Sequence, residues 1–197
     1  MVSVSKESAP SRERIVAGAA DMISRRGLSA TSIREMAKHA KAPLGSTYHY
    51  FPEGKQQLAT EAVRYTGEWV ARRLRKELEA GPVEGLVAFL SLWRTIVVES
   101  DFHAGCPVLA VAIEEPPTEE IPPALTAAAE VFAEWESLLA ASLRAHGTEP
   151  DRARQLATLV VAAVEGTVAM CRAQRSVRPL DDTAEQLRSL IAGAIDH

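Results

Sequence analysis

The chain has 197 residues, of which 47% are hydrophobic and 24% charged, and its formal net charge is -4 at pH 7. This composition excludes an intrinsically disordered chain, and the length is sufficient for one or two domains with a buried core. Residues 1–10 lack the apolar core of a signal peptide, and no apolar run reaches the ~18 residues of a membrane span. The sequence therefore predicts a cytoplasmic protein without a membrane partner.

The charge is unevenly distributed along the chain. Residues 1–64 contain ten Lys or Arg against six Asp or Glu, whereas residues 65–197 contain twelve against twenty. A basic first third on an acidic remainder suits a protein that meets phosphate at one end only. Chance clustering of surface charge is the alternative.

Abundant alanine and leucine, few aromatic residues and the lack of β-branched alternation predict an all-α fold. The first helix spans residues 11–26 and stops at Gly27. A second helix begins at Ser32, which forms a capping box with Glu35. A short third helix begins near Pro43, and a long fourth helix covers residues 55–79.

The remaining elements are helices separated by prolines. We expect helices over residues 83–99, from Cys106-Pro107 to Pro116-Pro117, over 123–146 and over 149–175, with a loop from Thr118 to Pro123. Thr148 with Asp151 is expected to cap the 149–175 helix. Asp181 or Asp182 is expected to cap a last helix that carries Leu187, Leu190, Ile191 and Ile195.

The stretch TSIREMAKHAKAPLGSTYHYFPEGK, residues 31–55, reads as two short helices joined by a tight turn. Small residues on the first helix allow a close approach of the second. The second helix carries mostly small or hydrogen-bonding side chains, which suit a groove better than a core. A helix-turn-helix places such a helix in the major groove of DNA.

The same stretch resembles the DNA-binding motif of the TetR family of bacterial transcriptional regulators, and the match covers residues 12–58. Its most specific part is the run Tyr48-His49-Tyr50-Phe51 with the following Lys55. The chain departs from the family pattern in three places: Lys41 stands where a glycine is usual, Pro43 replaces a small polar cap, and the link at residues 52–54 is one residue longer. The sequence is similar to the LmrA/YxaF-like branch, which also tends to carry the Gly-Cys-Pro found at residues 105–107.

Residues 1–10 are Ser-rich and are expected to be flexible. The resemblance implies an N-terminal helix-turn-helix domain at residues 11–54 and a helical ligand-binding and dimerisation domain at 55–197. It implies DNA contacts at these motif positions. The phosphate backbone is assigned to Thr31, Ser32, Tyr48, His49 and Lys55, and the base edges to Lys41, Leu44, Gly45, Ser46 and Thr47.

The resemblance also implies a homodimer formed by the last two helices, as two copies about 34 Å apart would read a palindromic operator. The candidate interface residues are Ala162, Ala163, Gly166, Ala169, Leu187 and Ile191. It further implies a pocket for a small-molecule effector. The candidate lining residues are Trp69, Phe89, Trp93, Phe102, His103, Cys106, Trp135 and Met170, each of which could instead be plain core.

Signatures of catalysis are missing from the sequence. It has no phosphate-binding glycine loop and no GxSxG or HExxH motif, and the distant Cys106 and Cys171 lack metal-site spacing. Carboxylates such as Glu114 and Glu115 read as solvated helix surface. We therefore expect no cofactor, no metal and no enzyme, but a homodimeric repressor that an effector releases from DNA. An enzyme on a helical scaffold and a helical interaction protein without DNA remain the alternatives.

Overall fold

A computed structural model of the chain describes residues 11–115 and 119–195, which form nine helices and no strand. The predicted flexible segment 1–10, the predicted helix end at Pro116-Pro117 and Thr118 lie outside the described residues. The helices are α1 (Ser11–Arg26), α2 (Ile33–His39), α3 (Leu44–Tyr50), α4 (Lys55–Leu78), α5 (Pro82–Glu99), α6 (Pro107–Ala112), α7 (Pro123–Ala145), α8 (Pro150–Gln174) and α9 (Arg178–Ile195). The predicted all-α fold is confirmed.

The described chain divides into two compact units. The first contains residues 11–68 together with 106–115 and 119–131, and the second contains residues 69–105 and 132–195. The predicted division after residue 54 falls inside the first unit, because residues 55–68 at the start of α4 also belong to that unit. The assignment of DNA binding to residues 11–54, and of ligand binding and dimerisation to residues 55–197, stays a prediction.

In the first unit, α1 lies behind α2 and α3 and also contacts α6. Ile15, Ala19 and Ile23 recur at helical spacing and are fully buried, which places the apolar face of α1 in the core. Gly27 ends α1 with φ of 80°, as predicted. Ser32 caps α2, and both hydrogen bonds of the capping box with Glu35 are present.

In the second unit, α5, α8 and α9 pack against one another. Their shared core contains Val97 of α5, Val164 of α8 and Leu187 of α9, all buried. An ion pair between Arg94 and Asp181, with a distance of 2.9 Å, joins the surfaces of α5 and α9.

Two predicted helix caps and one helix end are wrong. Glu149 rather than Thr148 caps α8, accepting a hydrogen bond from the backbone N–H of Arg152, while the Thr148 hydroxyl donates to the carbonyl of Ala194. Neither Asp181 nor Asp182 begins α9, because the helix already starts at Arg178. The helix α6 ends at Ala112, before the predicted proline break.

Among the described residues, α8 alone is long and apolar enough to cross a membrane on length and composition. Half of its apolar window is buried inside the chain. Within the described residues, the apolar side chains of Leu159 and Met170 in this helix are exposed.

The capping box of α2 makes the stability of the first unit sensitive to acid. The Ser32 hydroxyl, and then the Ser32 backbone N–H, donate hydrogen bonds that lower the pKa of Glu35 below its ordinary value of 4.5. A carboxylate with a lowered pKa stabilises the folded state above pH 4.5, and this contribution is lost as the pH falls through the lowered pKa. We therefore expect wild type to lose more stability than Glu35→Gln between pH 6 and pH 3.

Urea denaturation at a series of pH values measures this difference. A gap between wild type and Glu35→Gln that stays constant down to pH 3 would rule out the proposed titration of the cap.

Candidate functional site

The turn between α2 and α3 is built on a residue with left-handed backbone. Lys41 has φ of 54°, its N–H donates to the carbonyl of Lys38, and the N–H of Ala42 donates to the carbonyl of Ala37. This pair of bonds is the Schellman motif, whose left-handed position usually belongs to glycine. Lys41 is exposed, and its Cβ makes this left-handed backbone conformation less favourable than it would be for glycine. Because a lysine occupies this surface turn despite the conformational cost, we infer that its ammonium group has a function.

The helix α3 presents one face to solvent. Gly45 and His49 are exposed and Tyr48 is 49% exposed, while Leu44 and Ser46 are half-buried. A Cβ added to Gly45 would meet no heavy atom within 4 Å, so the first turn of the helix is open on that side. The exposed face thus combines small, hydroxyl and imidazole groups without a fixed charge.

The other face of α3 is held by two buried side chains. Thr47 is fully buried and its hydroxyl donates to the carbonyl of Pro43 at 3.1 Å. Phe51, directly after the helix, is also fully buried, and the guanidinium of Arg12 lies 5.4 Å from its ring centroid. These contacts fix which face of α3 points outward.

Two of the predicted DNA contacts need correction. The Thr47 side chain is turned into the core and cannot lie beside base edges in this structure. Thr31 is 4% exposed, and its hydroxyl donates to the carbonyl of Leu28 at 2.8 Å, so it stabilises the turn before α2. Ser32 is exposed at the start of α2, and Lys55 is half-exposed at the start of α4.

Glu114, predicted to be solvated surface, is instead a hydrogen-bond acceptor for the turn between α1 and α2. Its carboxylate accepts from the backbone N–H of Leu28 at 2.5 Å and of Ser29 at 2.9 Å, and from the Ser29 hydroxyl at 2.6 Å. The partners are 85 and 86 positions apart in the sequence. No local pattern in the sequence could have revealed this contact.

Three of the predicted effector-binding residues form an aromatic cluster in the second unit. Phe89, Trp93 and Trp135 are each at most 2% exposed. The ring of Phe89 makes edge-to-face contacts with Trp93 at 6.4 Å and with Trp135 at 6.3 Å between centroids. The buried Trp93 Nε1 has no hydrogen-bond acceptor within the described part of the chain.

The other predicted effector-binding residues are dispersed. Trp69 and Phe102 are half-buried, and the guanidinium of Arg175 lies 5.7 Å from the Phe102 ring centroid. His103 and Met170 are exposed, which removes them from any cavity inside this unit. Cys106 is buried in the first unit.

Two surface cavities lie elsewhere. One of about 530 Å³ is formed by the turn before α8 and the end of α9, and one of about 150 Å³ by residues near Ser29, Gln56 and Glu114. None of the eight predicted effector-binding residues lines either cavity.

Neither cysteine is placed for chemistry. Cys106 and Cys171 are buried and not disulfide-bonded, and burial raises the pKa of the Cys171 thiol. Within residues 11–115 and 119–195, no group of His, Cys, Asp and Glu side chains is arranged to hold a metal ion.

From Leu159 onward, exposed and half-buried apolar residues form a stripe along α8, here called the α8 face. Its members recur every three or four residues: Leu159, Ala162, Ala163, Gly166, Ala169, Met170 and Ala173. Four of them are predicted dimer residues, and Gly166 has open space where a Cβ would stand. The two predicted dimer residues of α9 are misplaced: Leu187 and Ile191 are at most 5% exposed because they pack inside the second unit.

Sequence comparison gives two family matches. Residues 15–62 match the family "Bacterial regulatory proteins, tetR family", and residues 82–186 match "Transcriptional regulator LmrA/YxaF-like, C-terminal domain". An uncharacterized HTH-type transcriptional regulator of Mycobacterium tuberculosis is 43% identical over 91% of this chain and 93% of its own. The HTH-type transcriptional regulator LmrA of Bacillus subtilis is 33% identical over 86% of this chain and 90% of its own.

Solved structures share the fold. The regulatory protein TetR of Rhodobacter sphaeroides superposes with a TM-score of 0.81 at 19% identity, covering 92% of this chain and 98% of that one. A TetR-family regulator of Cytophaga hutchinsonii gives a TM-score of 0.73 at 26% identity, covering 93% and 94%.

The left-handed backbone at Lys41 allows stability and binding to be separated. Lys41→Gly should raise the free energy of unfolding by about 1 kcal/mol, because glycine adopts this conformation without steric cost. If the Lys41 ammonium lies beside base edges, its loss should weaken binding to the DNA site that the protein prefers by about 1–3 kcal/mol, and affinity for other duplex DNA should change less. Urea denaturation and binding titrations with the two DNAs measure the effects on stability and on binding. Gained stability with an unchanged affinity for the preferred site would contradict the base contact.

Proposed function

We propose that this chain, which belongs to the LmrA/YxaF-like branch of the TetR family of bacterial transcriptional regulators, is a homodimeric repressor released from a palindromic operator by a small molecule. As a member of this family it is a DNA-binding regulator and not an enzyme. Its place of action is the cytoplasm, where the chromosome of a bacterium lies. The observation that carries the proposal is the outward face of α3, whose small and polar groups are presented by a helix anchored through Thr47 and Phe51.

The proposed DNA surface combines phosphate and base contacts. Ser32, Tyr48, His49 and Lys55 hold the backbone, because hydroxyl, imidazole and ammonium donors match phosphate oxygens. The base edges meet the turn between α2 and α3, at Lys41, and the first turn of α3, at Leu44, Gly45 and Ser46. The side chains of Thr31 and Thr47 support this surface from behind, since both are buried.

The α8 face is the proposed dimer interface. An exposed apolar stripe on a long helix is typical of a surface that another chain covers. Alanines and Gly166 allow two helix backbones to approach closely, and Gly166 has space for a neighbour. Two copies are needed because one helix of seven residues reads few base pairs.

A charge placed on the α8 face tests the dimer. Ala162→Glu leaves the fold of one chain intact, because Ala162 is exposed, but it buries an unpaired carboxylate in the interface. That costs about 3 kcal/mol or more, so the dissociation constant of the dimer should rise more than a hundredfold. Sedimentation equilibrium measures this change. Ala133→Glu, the same substitution at an exposed alanine of α7, is the control.

If the Ala162→Glu protein dimerises as tightly as the control, α8 is not part of the dimer interface. If the wild-type protein is monomeric at high concentration, the proposed homodimer is ruled out.

The aromatic cluster of the second unit is the proposed core of the effector site. Phe89, Trp93 and Trp135 offer apolar ring surfaces, and Trp93 Nε1 offers a buried donor without an acceptor among the described residues. These groups suit an apolar or aromatic ligand that carries one hydrogen-bond acceptor. The ligand would shift the population of conformations away from the one that binds DNA, by its differential affinity for the two.

Thermodynamic linkage makes the effector proposal quantitative. A compound that quenches the fluorescence of Trp93 and Trp135 should lower operator affinity, and operator DNA should lower the affinity for the compound by the same factor. Typical coupling is about 5- to 150-fold. Tryptophan fluorescence and anisotropy of labelled DNA measure the two affinities. Compounds that saturate the quenching yet leave operator affinity unchanged would contradict effector control.

A further inference from the structure

In the turn between α1 and α2, two backbone N–H groups donate hydrogen bonds to the same carboxylate. The N–H of Gly27 still donates to the helix carbonyl of Ile23, but those of Leu28 and Ser29 donate to Glu114. Leu28 is 7% exposed, so its amide has little access to water. Removing the acceptor would leave this amide unsatisfied.

The turn is also shaped to admit the carboxylate. Gly27 has φ of 80°, and a Cβ at this position would lie 2.7 Å from Oε1 of Glu114. Glycine is therefore favoured here for its backbone conformation, and a larger residue would displace the carboxylate from the place it occupies. This steric fit is independent of the hydrogen bonds.

The contact continues into the helix-turn-helix. The Thr31 hydroxyl donates to the carbonyl of Leu28 at 2.8 Å, and the next residue, Ser32, caps α2. The helix α2 in turn contacts α3. The carboxylate of Glu114 thus holds the segment from which α2 starts.

Glu114 belongs to the region that matches the C-terminal family domain, residues 82–186, yet it lies in the same compact unit as α1, α2 and α3. It lies two residues after the end of α6, whose Val108 is fully buried and which packs on α1. We propose that Glu114 is a positioning residue for operator recognition, through which the end of α6 sets the α1–α2 turn and the helices that follow it. This inference rests on the DNA-binding part of the proposed function, and not on an effector or on repression.

Glu114→Gln tests the proposal, with Glu115→Gln as the control. Glu115 is the exposed neighbour, so the control removes the same charge from the same segment. In the full-length protein, Glu114→Gln should speed amide hydrogen exchange at Leu28 and Ser29 roughly tenfold, because glutamine replaces one acceptor oxygen with an NH2 donor and removes the charge that strengthens these hydrogen bonds. It should lower affinity for the operator, recovered by selection from random DNA, roughly tenfold. Affinity for non-operator duplex should stay within about twofold, because the phosphate-contacting cations are retained.

The ratio of operator to non-operator affinity separates positioning from simple destabilisation. Partial unfolding of the variant would lower both affinities by the same factor, and this result would overturn the proposal. Glu114→Gln with wild-type exchange and wild-type operator affinity would also overturn it. A wild-type protein that selects no operator would instead refute the proposed function, so the two failures are distinguishable.

Ser29→Ala gives a second test if Glu114→Gln folds poorly. Ser29 is exposed, and its hydroxyl donates to the carboxylate at 2.6 Å. Ser29→Ala alone should reduce the ratio of operator to non-operator affinity about two- to tenfold. An unchanged ratio in this variant would count against the contact.

Discussion

The outward face of α3 depends on the burial of two side chains on its other face. A helix of seven residues is not stable by itself in water, so its orientation must come from tertiary contacts. Thr47 and Phe51 supply them, and burial of a phenylalanine contributes about 1.5–3 kcal/mol. Thr47 lies at the middle of the helix and Phe51 just after its end, and the first turn around Gly45 is open toward solvent. That open turn is where the proposed base contacts lie.

The second unit leaves a different surface uncovered. One side of α8 is fixed in the core with α5 and α9, while the α8 face contains no charged side chain and is exposed. The burial of Leu187 and Ile191 shows that the apolar face of α9 is used inside the chain. A proposed dimer therefore relies mainly on α8 among the predicted positions.

Local signals in the sequence predicted local structure well. The end of α1 at Gly27 and the capping box of Ser32 and Glu35 involve residues a few positions apart, so pattern and chemistry suffice to find them. The motif around Tyr48 and His49 likewise identified the helix-turn-helix. The caps of α8 and α9 were harder, because Thr148 has a tertiary partner in Ala194 and Arg178 precedes the acidic residues that resemble a cap.

Side-chain direction was the part of the site that sequence could not supply. Thr47 reads as a polar groove residue, yet the packing of α3 turns it inward. Glu114 reads as solvated surface, yet it meets donors 85 positions away. The eight candidate effector residues share a chemical type, but only the folded chain separates the buried Phe89, Trp93 and Trp135 from the exposed His103 and Met170.

The central claim is that two copies of the chain present the first turn of α3 to duplex DNA. Selection of binding sites from a random DNA pool by the full-length protein tests it most directly. The account predicts a palindrome whose half-sites are centred one helical turn, about 34 Å, or a multiple of it apart. A selected site without twofold symmetry, or a pool in which no sequence is enriched, would contradict it.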